Sequence, residues 1–483
     1  NNMKKKILPL LLMVATLIVT GCGGADDGDG DKGNGEIFDE TKTWEVYEKT
    51  HLVDIPVEIN FWSANSAVDI QGKAIAELVD EFNAYQKATY PTSFIKVNAS
   101  FQGGYSVQNT KLQAALSGSN NPEIAQVGVS SLPLYTDSVI DQRVIFTYDD
   151  LRDVNPGFLQ YAMHKDKFVG YPYFASTNVI VTNRTLLEAT GKKIPTVQEI
   201  VADPDNSIWT WDYMKEVAIA ATDTSDLDAE NHIYGYSATG PGLYEMMYTQ
   251  GVAIYNETAT KINFNNDAGL EGLRFWRSMV TEGAMLNPVL DPNHGTKIQG
   301  SFALGKSGML NATSAVILTL YQNIVANRAE QGLDPLFELD VLPYPKKTNF
   351  YSNQSGGSIV VFNNKSASKT KAAVEFLRWL QAPEQSAKFS LSTGYLPTTG
   401  AARQTELWKS DNTITPLLEK VSDLMIFTPP GDLKLPVGRA KALADDDFGK
   451  YVKGIWYDDC TRDLQEVLDE CAERISYDLE ANS

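Results

Sequence analysis

The chain has 483 residues, 43% hydrophobic and 10% aromatic, which is enough apolar side chain for two or three packed domains and too much for a disordered polymer. Its 61 acidic residues outnumber 41 basic ones, for a formal net charge of −20. That charge repels a phosphate backbone, and no basic stripe interleaved with aromatics offsets it, so nucleic acid is excluded as a partner.

The first expected element is an export signal. Met3 reads as the initiator, Lys4-Lys5-Lys6 as a basic head, and residues 7–19 as an apolar run too short to span a bilayer. The run ends in Val19-Thr20-Gly21-Cys22, which resembles the bacterial lipoprotein signal and makes Cys22 the expected lipidated residue. The competing readings are a plain secretory signal with an incidental cysteine and a membrane anchor. Residues 1–22 are thus the signal and 23–54 a flexible tether and lead-in, since "GGADDGDGDKGNGE" (23–36) cannot pack. A Ca²⁺ loop beginning at Asp29 fails: it puts Gly33 at a ligand position and Asn34 where the sharp turn needs glycine.

From residue 55, short apolar strands alternate with amphipathic helices. Val57, Ile59 and Phe61 alternate as a strand; Ile75, Leu78, Val79 and Phe82 then lie on one helix face. Residues 94–97 return as a strand, 108–116 as a helix and 124–129 as a short strand. Such an opening predicts a mostly parallel sheet with helices on both faces and a ligand crevice at the carboxyl ends of its strands. Trp62 falls at that crevice, with core packing as its other reading, whereas Trp211, in a helix's first turn, is expected to pack on its own lobe. Asn266 and Asp267 cap a helix carrying Leu270, Leu273, Trp276 and Val280, which stops at Gly283. Ala373, Phe376, Leu377 and Leu380 mark another, and Pro383 opens the next. The body is too long for one doubly wound domain, so two lobes are expected.

Two motifs suggest other chemistry. "GSFALGKS" (300–307) satisfies the phosphate-loop pattern at every specified position, but the preceding "DPNHGTKIQ" is a polar loop where the motif needs a buried strand. Lys306 is therefore expected to be solvated. Cys460 and Cys471 lack zinc-ligand spacing. In a helix starting before Cys460 their sulfurs would be about 16 Å apart, too far to bridge. Cys471 shares an apolar face with Leu464, Val467, Leu468 and Ile475 and reads as core. The four histidines form no HExxH, and neither a metal nor a cofactor is expected.

Seven segments in order, "EINFWSAN" (58–65), "GYPYFASTNVIVTN" (170–183), "WTWDYMKEVA" (209–218), "INFNNDAGLEGLRFW" (262–276), "FALGKSGM" (302–309), "SGGSIVVFNN" (355–364) and "STGYLPTT" (392–399), make the chain resemble the family 1 extracellular solute-binding proteins of bacterial ABC importers. The resemblance implies an α/β, two-lobed periplasmic-binding-protein-like fold of type II, each lobe a mostly parallel sheet flanked by helices. Crossings expected near 175–177, 311–314 and 355–358 would give 55–175 plus 312–354 to lobe 1, and 176–311 plus 355–483 to lobe 2. A ligand held between lobes, hinge closure, and delivery to permease subunits by a lipid-anchored, extracytoplasmic monomer follow from the same resemblance.

Within the family the chain resembles the glycerol-3-phosphate-binding branch, through "GGYSVQN", "PYFASTN", "GGS" and "TGYLPTT". The branch's ligand positions would be Tyr105, Ser176, Tyr244, Ser314, Gly357 and Tyr395, with Arg439 in "LPVGRAKAL" as a further match or else a solvated charge beside "ADDD". Val129 stands where the branch has an acidic residue, and Pro241 and Tyr244 where it has tryptophans. These departures make a sugar or oligosaccharide the first expectation and glycerol-3-phosphate or another phosphorylated polyol the alternative. An exported glycan hydrolase is the remote alternative, since no carboxylate pair falls in a catalytic frame and no G-x-S-x-G occurs. A surface adhesin is a further class. An enzyme is not expected.

Overall fold

The computed structural model describes residues 49–146, 148–164, 167–429 and 439–482. The expected signal with Cys22, and the tether with its Asp29 loop, lie outside the described residues. Ten strands occur among those described: β1 (Val57–Ser63), β2 (Ile95–Phe101), β3 (Ile124–Gly128), β4 (Met163–His164), β5 (Lys167–Phe168), β6 (Tyr171–Ser176), β7 (Asn178–Asn183), β8 (Met309–Thr313), β9 (Leu339–Leu342) and β10 (Ser355–Val361). The chain divides into two compact units, one running to Ala175 and adding Gln354–Thr415, the other comprising Ser176–Asn353 and the chain from Pro416.

In the first unit a five-stranded sheet runs in the order β2-β1-β3-β10-β6. β1 is parallel to β2 and β3, as the alternating opening predicts, whereas β10 is antiparallel to β3. The expected helices are present, Ile70–Thr89 and Tyr105–Ser117. Alternation in β1 sends Ile59 and Phe61 one way and Trp62 the other. Phe61 meets Phe376 of the helix Ala367–Gln381 edge-on at 5.9 Å, and Phe82 tilts on the same ring at 5.0 Å. On the far face Leu112, Ala125, Val127, Leu132 and Tyr135 form a second core against which Trp62 packs. Each fully buried Leu, Val or Phe among them contributes about 1.5–3 kcal/mol.

The second unit departs from expectation. Its sheet, β8-β7-β9, is antiparallel throughout, because both neighbours return to β7 running against it and no βαβ crossover joins them. The same hydrogen bonds correct the lobe boundaries. β8 and β9 pair with β7, so 312–353 stays in the second unit instead of joining the first; β10 pairs with β3, which keeps 355–415 in the first unit instead of the second. The chain changes unit at Ala175/Ser176, Asn353/Gln354 and Thr415/Pro416, and not near 311–314.

The second unit's core gathers Trp209, Trp211, Trp276, Met246, Met279 and Trp456 with the helix Leu464–Asn482. Asn266 caps the helix Asp267–Thr281 by accepting from Gly269 N at 3.1 Å, as its sequence predicts. Cys471 is core, and its burial pushes the thiol up to about 12. Cys460 lies outside that helix, in a left-handed turn with φ 63°.

Candidate functional site

The first unit gathers three expected ligand residues around one glutamine. Gln126 is fully buried in the apolar strand β3, where an unpaired amide is costly, and it is satisfied at both ends. Its Oε1 accepts from Ser63 Oγ at 3.2 Å and Ala64 N at 3.0 Å. Its Nε2 donates to Asn65 Oδ1 at 2.8 Å and to the Tyr105 hydroxyl at 2.7 Å. The Tyr105 and Tyr395 hydroxyls are close enough to shift each other's ionisation, and Asn65 acts on Tyr395 in the same way. An amide nitrogen only donates, so the Tyr105 oxygen accepts from Gln126 and keeps its own proton to donate. Burial pushes the Tyr105 phenol well above its ordinary range and raises that of Tyr395, so both are neutral donors.

Packing sets these groups in place. A Cβ at Gly357 would stand 2.6 Å from the Tyr105 hydroxyl and 2.9 Å from Val127 O, and Gly357 pairs with Gly128, over which the Tyr105 ring also lies. Gly394, at φ 83°, ends the helix Pro383–Thr393 and delivers Tyr395, whose ring stacks on Phe389 at 5.8 Å and meets Phe174 at 5.7 Å. Trp62 immediately precedes Ser63; it is half-buried, and its carbonyl accepts from Gln108 Nε2 at 3.4 Å.

The second unit holds a cavity of about 720 Å³. Asn178 and Asn311 line it from β7 and β8 and share a face of the sheet, because Asn178 pairs with Thr313 and Ile180 with Asn311. Asn178 Nδ2 donates to Glu245 Oε1 at 2.7 Å, and a Cβ at Gly242 would stand 2.1 Å from Glu245 Oε2, so the glycine admits this carboxylate. Lys450 and Lys453, three residues apart on one face, line it from the end of the helix Arg439–Tyr451 and the turn Val452–Trp456. Tyr457 and Pro241 also line it.

Other expected residues are placed differently. Ser176 is buried at the end of β6. Ser314 is buried with its hydroxyl accepting from Thr177 N at 3.2 Å, while its own N–H donates to Thr177 O at 2.8 Å, a reciprocal clamp on the start of β7. Tyr244 is half-buried against the core, 6.3 Å from Tyr248, and does not line the cavity. Arg439 opens its helix, and its side chain lies outside the described residues. Trp211 is core, as expected, its indole donating to Thr249 Oγ1 at 3.1 Å. Among the described residues no cluster of three His, Cys, Asp or Glu could hold a metal.

The phosphate-loop match is built backwards. Gly300 lies inside the helix His294–Ala303, Gly305 makes the turn at φ 77°, and the strand β8 follows, whereas a phosphate loop runs from strand to helix. Lys306 Nζ donates to the carbonyl of Glu230, and buried Ser307 donates to Met309 O at 2.9 Å. The lysine remains partly exposed at the surface, its ammonium also meeting a backbone carbonyl.

Gln126, Asn65, Asn178, Glu245, Asn311, Lys450 and Lys453 escape sequence reasoning. Only Gln126 carries a signal, a polar residue inside the apolar "IAQVG".

The sequence profile described as "Bacterial extracellular solute-binding protein" matches residues 77–416. The sn-glycerol-3-phosphate-binding periplasmic protein UgpB of Rhizobium meliloti is 22% identical over 450 residues, covering 86% of this chain and 92% of that protein. The cyclic alpha-maltosyl-1,6-maltose binding protein of Arthrobacter globiformis shares the fold at TM-score 0.63 and 22% identity, over 88% of this chain and 100% of that one. The sugar-binding protein MalE of Xanthomonas citri does so at TM-score 0.68 and 16% identity, over 88% and 98%. The profile spans well over half of the chain, and the chain belongs to the bacterial extracellular solute-binding protein family.

Proposed function

We propose that this protein captures a carbohydrate outside the cytoplasm and hands it to an ABC importer permease, without a chemical step, while held to the membrane by lipid on Cys22. The observation that carries the carbohydrate reading is the cluster in which Gln126 holds the Tyr105 hydroxyl and Tyr395 lies beside it. Every member is uncharged, and both phenols can donate. Such groups suit sugar hydroxyls, and the half-buried rings of Trp62 and Tyr105 suit the C–H faces of a sugar. A phosphate is gripped best by charge-assisted donors, which this cluster lacks. Two solved structures of the same fold are named for sugars.

A phosphorylated polyol is the second reading, favoured by Lys450 and Lys453 on the second unit's cavity and by the relatives named for glycerol-3-phosphate. A thermal-shift panel separates the two. A ligand at 100 times its Kd adds about 2.7 kcal/mol of stability, so a mono- or oligosaccharide should raise the midpoint, and Mg-ATP should not. A rise with sn-glycerol-3-phosphate alone would replace the first reading with the second. Recovery of a cleaved glycan would make the protein a hydrolase.

A further inference from the structure

We infer that the second unit's cavity takes an anionic carbohydrate at least two sugars long, its carboxylate or phosphate gripped by Lys450 and Lys453 and its hydroxyls read by Glu245, Asn178 and Asn311. This rests on the carbohydrate reading and narrows it. Size is the first argument. Bonded atoms overlap and take about half of a water's ~30 Å³ share, so glycerol phosphate fills roughly 150 Å³, a hexose roughly 180 Å³ and a disaccharide roughly 350 Å³. The cavity offers about 720 Å³, so a polyol phosphate or single sugar leaves most of it to water.

Charge is the second argument. Glu245 is 5% exposed and, as a carboxylate, only accepts hydrogen bonds; beside two asparagine amides it suits hydroxyl donors and repels an anion. Lys450 and Lys453 approach the same cavity from a different element, and neither forms an ion pair among the described residues. On a chain of net charge −20, two lysines on one cavity concentrate positive charge there, even with Asp447 one turn from Lys450. A ligand carrying hydroxyls and one anionic group answers both ends, and so accounts for the lysines without requiring glycerol phosphate.

The test is calorimetric titration with digalacturonate, trehalose 6-phosphate, maltose and sn-glycerol-3-phosphate, on the wild type and on Lys450→Gln/Lys453→Gln, at low and at physiological salt. One charged disaccharide should bind at least tenfold more tightly than maltose, lose that margin in the double variant, and weaken with salt as an exposed lysine pair requires. Which of the two behaves so identifies the anion as carboxylate or phosphate. Equal binding of maltose, untouched by the double variant or by salt, would overturn the inference and leave the carbohydrate reading standing. Glycerol phosphate binding as tightly as the charged disaccharides would overturn the size requirement, and no response to any carbohydrate in this titration or in the wider thermal panel would sink the carbohydrate reading itself. The salt series on the wild type keeps the test decisive if the double variant folds poorly.

Discussion

Gln126 shows how one residue can organise a site that its neighbours in sequence do not announce. Its four hydrogen bonds join Ser63, Ala64, Asn65 and Tyr105, and the alternatives for a buried amide are costly. Gly357 is the steric counterpart. Gly357→Ala places a methyl 2.6 Å from the Tyr105 hydroxyl and 2.9 Å from a backbone oxygen that cannot swing away. We expect it to cost about 1–3 kcal/mol, seen as a lower melting midpoint, and to weaken carbohydrate binding by displacing Tyr105. Unchanged affinity in a folded Gly357→Ala variant would remove Tyr105 from the site. The family resemblance picked out Tyr105, Gly357 and Tyr395, but the glutamine that holds Tyr105 was hidden, because a sequence shows that a polar residue interrupts a strand and not which groups come to satisfy it.

At the scale of elements, the order of helix, turn and strand decides what a motif can do. In "GSFALGKS" the helix precedes the glycine turn and a strand follows, so no helix N-terminus faces the loop. Gly300 is a helix-interior glycine with nothing within 4 Å of an added Cβ. Gly300→Ala should therefore be neutral or stabilise by up to about 1 kcal/mol, and Lys306→Ala should leave solute affinity nearly unchanged. A phosphate loop would lose its ligand in both variants. The elements themselves were legible: β1, β3 and the helices Ile70–Thr89, Asp267–Thr281 and Pro383–Thr393 fall where apolar spacing and caps place them. Periodicity is a local property, and it survives tertiary assembly. The strand directions of the second sheet are not local, and the mostly parallel sheet that the resemblance implied for that lobe gives way to an antiparallel one.

For the whole molecule, two matters lie beyond any single element: attachment and assembly. If Cys22 carries the lipid, Cys22→Ala should still be exported but should be released from the membrane fraction, and lipid label retained on the variant would end that proposal. The sequence by itself determined the strands and helices, their caps, the apolar cores and the family, because each rests on spacing along the chain or on short ordered segments. Only the tertiary structure decided that 312–353 stays with the second unit and 355–415 returns to the first, that the β8-β7-β9 sheet is antiparallel, and that Gln126, Tyr105 and Tyr395 come together. The physical reason is common to all three: strand pairing and the satisfaction of buried polar groups are settled between segments far apart in sequence, by which chain end arrives beside which, and no local pattern of residues encodes that arrival.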